Sequence, residues 1–558
     1  MTASKSRWYT RVPCSRMGLL VGLLLFVAGL PPFLYAWLST PADRVYTGLM
    51  FDVEDHAQYW SWVTASHDGL FIANTMTPEP NPPTFLNAMM WSLAQVQQAT
   101  GLSFAGLFQV WRLLGCLVLG VALVMSFRRF VPDPRRRAVA YLLAIGGSGL
   151  GWTLVAAKYA QHLADVPFPL DVYVVEPNTW FATLAYPYLA LAQGLVLGAL
   201  FGAYRVDQDG HWHGYVMAIG CAVALGFTHS YDLLTVYGVL AAYWVWSAWR
   251  TRHLPLRLTA VTVAIGAASG PIALYYKILT SSDPVWQAVL AQYVNAGVWT
   301  PPHVHLVILM GLPLLLAVAA VPGAFRRGGA DPFLAIWAIV GVCLAYLPVV
   351  FQIKLLTAWQ FPLAILGAHT WSETVAPWLA RTWRRGGARP LQPAVSLALL
   401  AALVVPTNLY LVAWRFLELR RHERPYYLHR DEVAALEWLS ANTGPDDVVI
   451  APLEIGQFVP NYGGSRSFLA HWAMTTQFFA RREAAERFFD PATDDGRRRA
   501  VLANDRVTVV LRPDVPAGAT LFDPRTSAQF EPVFSRPHAS VFRVRDAADR
   551  RAALPTTR

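Results

Sequence analysis

The sequence predicts a polytopic α-helical membrane protein with about 11 transmembrane helices and a small C-terminal extracytoplasmic α/β domain. Three observations carry this. Of the 558 residues, 55% are apolar and only 14% are Asp, Glu, Lys or Arg, and the mean hydropathy is +0.35. Soluble domains carry roughly 25% charged residues, so this chain has too little charge to cover one large globule, which excludes an ordinary cytoplasmic enzyme. Apolar runs of about 20 residues, the length that crosses a bilayer core, recur through the first three quarters of the chain. Beyond Phe416 they stop, and about half of all charged residues lie in that last quarter. High apolar content and unpatterned Gly and Pro also exclude disorder and collagen.

Taken in order, the candidate spans are 18–38, 105–126, 138–157, 183–203, 214–229, 231–249, 258–277, 304–321, 332–350, 352–370 and 393–415. The first follows Lys5, Arg7, Arg11 and Arg16 as a signal peptide would. Its apolar run exceeds the usual stretch of about 7 to 15 residues, so it is read as retained. Basic residues then set the orientation, because Arg- and Lys-rich loops stay in the cytoplasm. The N-terminus, Arg128 to Arg137, Arg250 to Arg257, Arg326 with Arg327, and Arg381 to Arg389 fall on one side, while the opposite loops hold mainly Arg44 and Lys158. The expected location is therefore the cell (inner or plasma) membrane, with the N-terminus cytoplasmic and the tail extracytoplasmic.

The net charge of +10 and pI near 9.5 come from these short clusters and not from one basic face, so no nucleic acid is expected as a partner. Cys14, Cys116, Cys221 and Cys343 form neither a disulfide framework nor a zinc spacing. The domains expected are 1–415, multi-pass and carrying the first outer loop 39–104, and 416–558. In the tail the pattern predicts helices over 431–443 and 477–490 and strands near 447–451, 506–512 and 540–545. The tail has no phosphate-cradling Gly loop and no G-x-S-x-G elbow, which gives it a supporting role.

The first outer loop is too long to be a connector. It carries Phe51-Asp52-Val53-Glu54-Asp55-His56, and on a helix Asp52, Asp55 and His56 share one face while Glu54 points elsewhere. Carboxylates crowded this closely repel, so either one holds its proton or a cation sits among them. Asp52, Glu54 and Asp55 are therefore candidate catalytic residues and candidate ligands of a divalent cation, Mg²⁺ or Mn²⁺. The plainer alternative makes Asp52 a helix N-cap with Asp55 in the first turn.

Ionisable residues at span ends are functional candidates, since burying charge in a bilayer is costly. Arg112 lies two turns into the second span, Asp232 follows His229 at the turn between the fifth and sixth, and Lys354 stands at the outer end of the tenth. All three are expected near the outer leaflet, together with the acidic cluster. Snorkelling explains Arg112 and Lys354 equally well, and a cap explains Asp232. Glu176 in the second outer loop reads either as a further carboxylate of the site or as a solvated turn. His471 and Trp472 either face the site from the tail or pack in its core, and packing is favoured for the histidine.

The order of these elements resembles the GT-C superfamily of integral-membrane glycosyltransferases. The residues that carry the resemblance are Asp52-Val53-Glu54-Asp55 in the long first outer loop, His229-Ser230-Tyr231-Asp232, and the tail stretch Asn461 to Thr475. Membership implies transfer of a sugar from a polyprenyl-phosphate donor to an extracytoplasmic acceptor in the cell envelope (glycan, lipid or protein), usually with inversion. By this resemblance Asp52 is the base, Glu54, Asp55 and His56 hold metal or acceptor, and Arg112 and Lys354 meet the donor phosphate. His229 and Glu176 join the binding residues, and Asp232 supports them. The chain has no Trp-Trp pair, so the Trp-Trp-Asp motif of oligosaccharyltransferases is missing and protein N-glycosylation is disfavoured. Two other classes have distinct signatures. A transporter or lipid flippase would gather charge near the bilayer midplane, and a noncatalytic envelope scaffold would tolerate loss of Asp52 and Glu54.

Overall fold

The computed structural model describes residues 14–163, 168–296, 299–385, 392–515 and 520–545. Lys5, Arg7, Arg11 and Arg389 of the predicted topology lie outside them. The chain divides into two compact units. A helical unit comprises Met1–Pro32, Phe108–Tyr275 and Val298–Phe416, and a mixed unit comprises Phe33–Leu107, Tyr276–Gly297 and Leu417–Arg558. Residues 39–104, expected within the multi-pass domain 1–415, are grouped with the tail in the mixed unit.

Five helices among the described residues are long and apolar enough to cross a membrane: Cys14–Leu38, Phe104–Phe130, Pro187–Asp209, Leu256–Ser282 and His303–Arg327. The bent pairs Pro134–Gly146 with Gly151–Ala160 and Pro393–Val404 with Pro406–Leu419 raise this to seven if each is one span. Eleven spans were expected. Every expected span has a helical counterpart, but Trp212–Thr228 and Asp331–Ala345 are too short, Leu233–Thr251 is long enough but not apolar enough, and 352–370 is divided into the 3-10 turn Gln352–Leu356 and the helix Gln360–Thr370. The chain is a multi-pass membrane protein.

Small residues let these helices approach closely, as membrane packing requires without a hydrophobic drive between apolar surfaces. A Cβ placed on Gly22 would meet the Cys116 carbonyl oxygen at 2.4 Å, and one on Gly18 would meet the Val121 Cα at 2.5 Å. Each helix therefore lies backbone against backbone at this crossing. Pro187–Asp209 is buried along nearly its whole length, which explains why it has no polar face.

The mixed unit is built on a five-stranded sheet of order Arg466–Ser467, Val448–Ile450, Val509–Arg512, Ala539–Val544, Phe530–Arg536. The first three strands run parallel and the last two add antiparallel. Val448, Val449 and Ile450 are all buried, as expected for a central strand covered on both faces. Phe468, Phe478, Phe488, Phe489, Phe522, Phe530 and Phe542 fill the core around them. The helices Arg430–Asn442 and Phe478–Phe489 fall within a residue of their predicted bounds. What the hydropathy pattern does not contain is the pairing of Arg44–Tyr46 with Tyr427–His429, an antiparallel ladder that joins the segment 39–104 to the start of the tail. Backbone pairing of this kind leaves no periodic trace when the partners are three residues long.

Candidate functional site

The site in the mixed unit begins at the helix Val53–Ala65. Asp52 occupies its N-cap position with φ 37° and ψ 59°, a left-handed conformation that Asp adopts more readily than most residues. The predicted N-cap position is therefore correct, but the Asp52 side chain makes no capping hydrogen bond, and it is exposed. Its carbonyl oxygen accepts from both the backbone N–H and the ring Nδ1 of His56, at 3.1 and 2.8 Å. His56 is 1% exposed, so it acts on the backbone that aims Asp52.

Glu54 and Asp55, predicted to point apart, are both met by the tail segment His471-Trp472. The Trp472 backbone N–H donates to Glu54 Oε1 at 2.6 Å. Asp55 Oδ1 accepts from His471 Nε2 and from the Trp472 indole N–H, each at 2.9 Å. The backbone N–H groups of Ala473 and Met474 donate to His471 Nδ1 at 3.0 and 3.2 Å. With Nδ1 used as an acceptor, Nε2 carries the hydrogen that it gives to Asp55. His471 is 1% exposed, as the favoured packed reading expects. Burial raises the Glu54 carboxyl above its ordinary range, against the opposing pull of His471 and of the Trp472 N–H.

The segment that presents these donors is itself tied down on both sides. The side-chain amide of Asn74 donates to the Met474 carbonyl at 2.8 Å, and Thr475 Oγ1 donates to the Met76 carbonyl at 2.7 Å. Gln292 donates through Nε2 to the carbonyls of Ala473 and Thr475, at 2.7 and 2.8 Å, and accepts from the Phe478 N–H at 2.9 Å. Glu79 accepts from Thr77, Thr476 and Arg481. Burial alone would raise its carboxyl, yet these donors hold it below the usual range. Asn74, Glu79, Gln292 and Arg481 escaped the sequence reading. Only the Pro-rich turn from Thr77 to Thr84 hinted that this part of the loop is ordered.

The remaining predicted residues lie in the helical unit. Arg112 is fully buried, and its guanidinium donates to the carbonyls of Thr183 and Phe26, at 3.1 and 2.8 Å, and to Gln109 Oε1 at 2.6 Å. The structure thus uses it to bind helix carbonyls. Lys354, in the 3-10 turn, has its Nζ 4.0 Å from Glu176 Oε1, which brings two predicted residues together. His229 Nδ1 lies 2.9 Å from Asp232 Oδ2, and both are buried. The three carboxylates Asp52, Glu54 and Asp55 do not form a three-ligand group. Among the described residues the trio His429, Asp431 and His538 does, with ligand atoms within 4.8 Å of one another.

Comparison with protein-family models gives no match, and comparison with curated proteins gives none either. Solved structures do match. The oligosaccharyltransferase AglB from Archaeoglobus fulgidus, in complex with an inhibitory peptide and a dolichol-phosphate, aligns with a TM-score of 0.53 at 12% identity, covering 89% of this chain and 69% of that one. Its apo form aligns with a TM-score of 0.52 at 13% identity, covering 91% and 70%. ArnT from Cupriavidus metallidurans aligns with a TM-score of 0.46 at 14% identity, covering 93% and 97%. On the AglB alignments this chain shares the fold of that archaeal oligosaccharyltransferase.

Proposed function

We propose that the protein is a membrane glycosyltransferase that moves a sugar from a polyprenyl-phosphate donor to an extracytoplasmic acceptor of the cell envelope. One observation carries the reading: on a GT-C fold, a helix led by an exposed, left-handed Asp52 has its next two carboxylates held by donors from a segment more than 400 residues away. That arrangement leaves Asp52 as the acid facing solvent, while Glu54 and Asp55 are oriented by Trp472 and His471. In the proposed step the acceptor hydroxyl gives its proton to Asp52 and its oxygen bonds to the anomeric carbon. The bond from that carbon to the phosphate oxygen breaks, and its electron pair leaves with the lipid phosphate. A single displacement of this kind inverts the anomeric centre, with an oxocarbenium-like state developing between the two bonds.

Within the helical unit, Lys354 is the cation assigned to the donor phosphate, with Glu176 beside it. Arg112 is not carried forward in that role, because each guanidinium nitrogen already bonds within the unit. A divalent cation, Mg²⁺ or Mn²⁺, enters the proposal with the donor, because among the described residues Asp52, Glu54 and Asp55 do not bring their ligand atoms within 4.8 Å of one another. Bound to the phosphate, it would offset the charge of the leaving group. The test is transfer by the purified protein from a panel of polyprenyl-phosphate sugars, with and without Mg²⁺ or Mn²⁺. Turnover of at least one donor is expected, and absence of both turnover and donor binding across the panel would favour a scaffold.

A further inference from the structure

Five ionisable residues outside the candidate site meet at one surface of the mixed unit. Asp43 precedes the strand Arg44–Tyr46, His429 ends its partner strand, and Asp431 stands in the first turn of the helix Arg430–Asn442. His538 sits in the turn between the strands Phe530–Arg536 and Ala539–Val544, and Asp514 follows the strand Val509–Arg512. The two imidazoles lie with ring centroids 3.9 Å apart. Ligand atoms of His429, Asp431 and His538 all lie within 4.8 Å of one another.

Each imidazole has one nitrogen turned to a carboxylate outside that trio. His538 Nδ1 is 3.2 Å from Asp514 Oδ1, and His429 Nε2 is 3.8 Å from Asp43 Oδ2. A carboxylate on the far side of the ring is the outer arrangement that metal-binding histidines use, and it leaves the opposite nitrogen toward the trio. For His538 the nitrogen left is Nε2. For His429 it is Nδ1, which accepts the Asp431 N–H at 3.1 Å and lies 3.8 Å from Asp431 Oδ2.

We propose that His429, Asp431 and His538 bind a divalent transition-metal ion of the zinc class, with Asp43 and Asp514 orienting the two imidazoles. Two imidazole nitrogens with one carboxylate oxygen suit zinc better than Mg²⁺ or Ca²⁺, which take oxygen shells. Zinc ligands at about 2.0 to 2.2 Å from the ion must close to roughly 3.5 Å from one another. His538 can supply that movement, since its side chain is 45% exposed on a two-residue turn. The ion replaces the Asp431 N–H at His429 Nδ1, so binding competes with one capping hydrogen bond.

The test uses the full-length protein in detergent, stripped with a chelator and equilibrated with Zn²⁺, and with Co²⁺ as a spectroscopic probe. The native protein should hold one more equivalent of Zn²⁺ than the His538→Gln/Asp431→Asn variant and should lose its Co²⁺ ligand-field bands in that variant. Asp514→Asn should weaken binding about 10- to 100-fold. Equal Zn²⁺ content and equal Co²⁺ spectra in native and double variant would overturn the proposal. So would loss of the ion in Glu54→Gln or Asp55→Asn with retention in His538→Gln. His538→Gln alone, at an exposed turn, keeps the test valid should the double variant fold poorly, with the metal-free unfolding midpoint as its control.

Discussion

The two units treat their ionisable residues in opposite ways. In the helical unit, polar side chains are satisfied within the helices: Arg112 donates to helix carbonyls and Gln109, and His229 pairs with Asp232 three residues on. In the mixed unit, Glu54 and Asp55 receive donors from Trp472 and His471, and the segment bearing those donors is tied by Asn74, Thr475 and Gln292. Buried charge in the first unit is therefore a structural element, whereas in the second the carboxylates are aimed by a lattice and one of them, Asp52, is left exposed. The lesson is that a charge inside apolar helices is not by itself a sign of chemistry; its hydrogen-bond partners decide.

Each arm of this comparison can be broken. The largest effect is expected at Asp52: Asp52→Asn should lower sugar transfer by about 10²- to 10⁴-fold while insertion and unfolding stay unchanged, read as turnover of the lipid-linked donor. Next is His471→Ala, which removes a donor from Asp55 and strands the buried N–H groups of Ala473 and Met474. A loss of about 2 to 4 kcal/mol is expected in chemical unfolding of the protein, and the activity should fall with it. Arg112→Leu should cost about 1 to 3 kcal/mol of stability, because the Thr183 and Phe26 carbonyls lose their donor, with donor KM unchanged in the protein that folds. Lys354→Gln should do the reverse, raising donor KM roughly tenfold at unchanged stability.

The smallest effect is in pH dependence. Burial raises Glu54 above its ordinary 4.5, so between that value and its folded one the native state holds a proton that the unfolded chain has lost. Its contribution to stability is greatest below the unfolded value and declines as pH rises through this window. Glu54→Gln should flatten that slope in unfolding midpoints measured from pH 4 upward.

How much was legible in the sequence follows from range. Apolar runs, Arg clusters and the tail's helices are local patterns, and they predicted the multi-pass class and the α/β tail. Asp52, Glu54, Asp55 and His56 stood out because four polar groups fall within five residues. That His471 donates to Asp55 was invisible, because 416 residues separate them and no periodicity links them. Gln292 was hidden for a similar reason: an amide in an outer loop looks like solvated surface until its three backbone partners are seen. The expected count of eleven exceeds the five to seven helices long and apolar enough among the described residues, because hydropathy windows do not sense the backbone breaks that short helices and 3-10 turns introduce.

The central claim is that the Glu54–Asp55 pair and the His471–Trp472 segment act as one catalytic unit. A double-mutant cycle on transfer rate, with Asp55→Asn, His471→Ala and the pair combined, tests it most directly. The account predicts that the combined variant is hardly slower than either single one. Losses that multiply, or single variants that transfer sugar at the native rate, would contradict it.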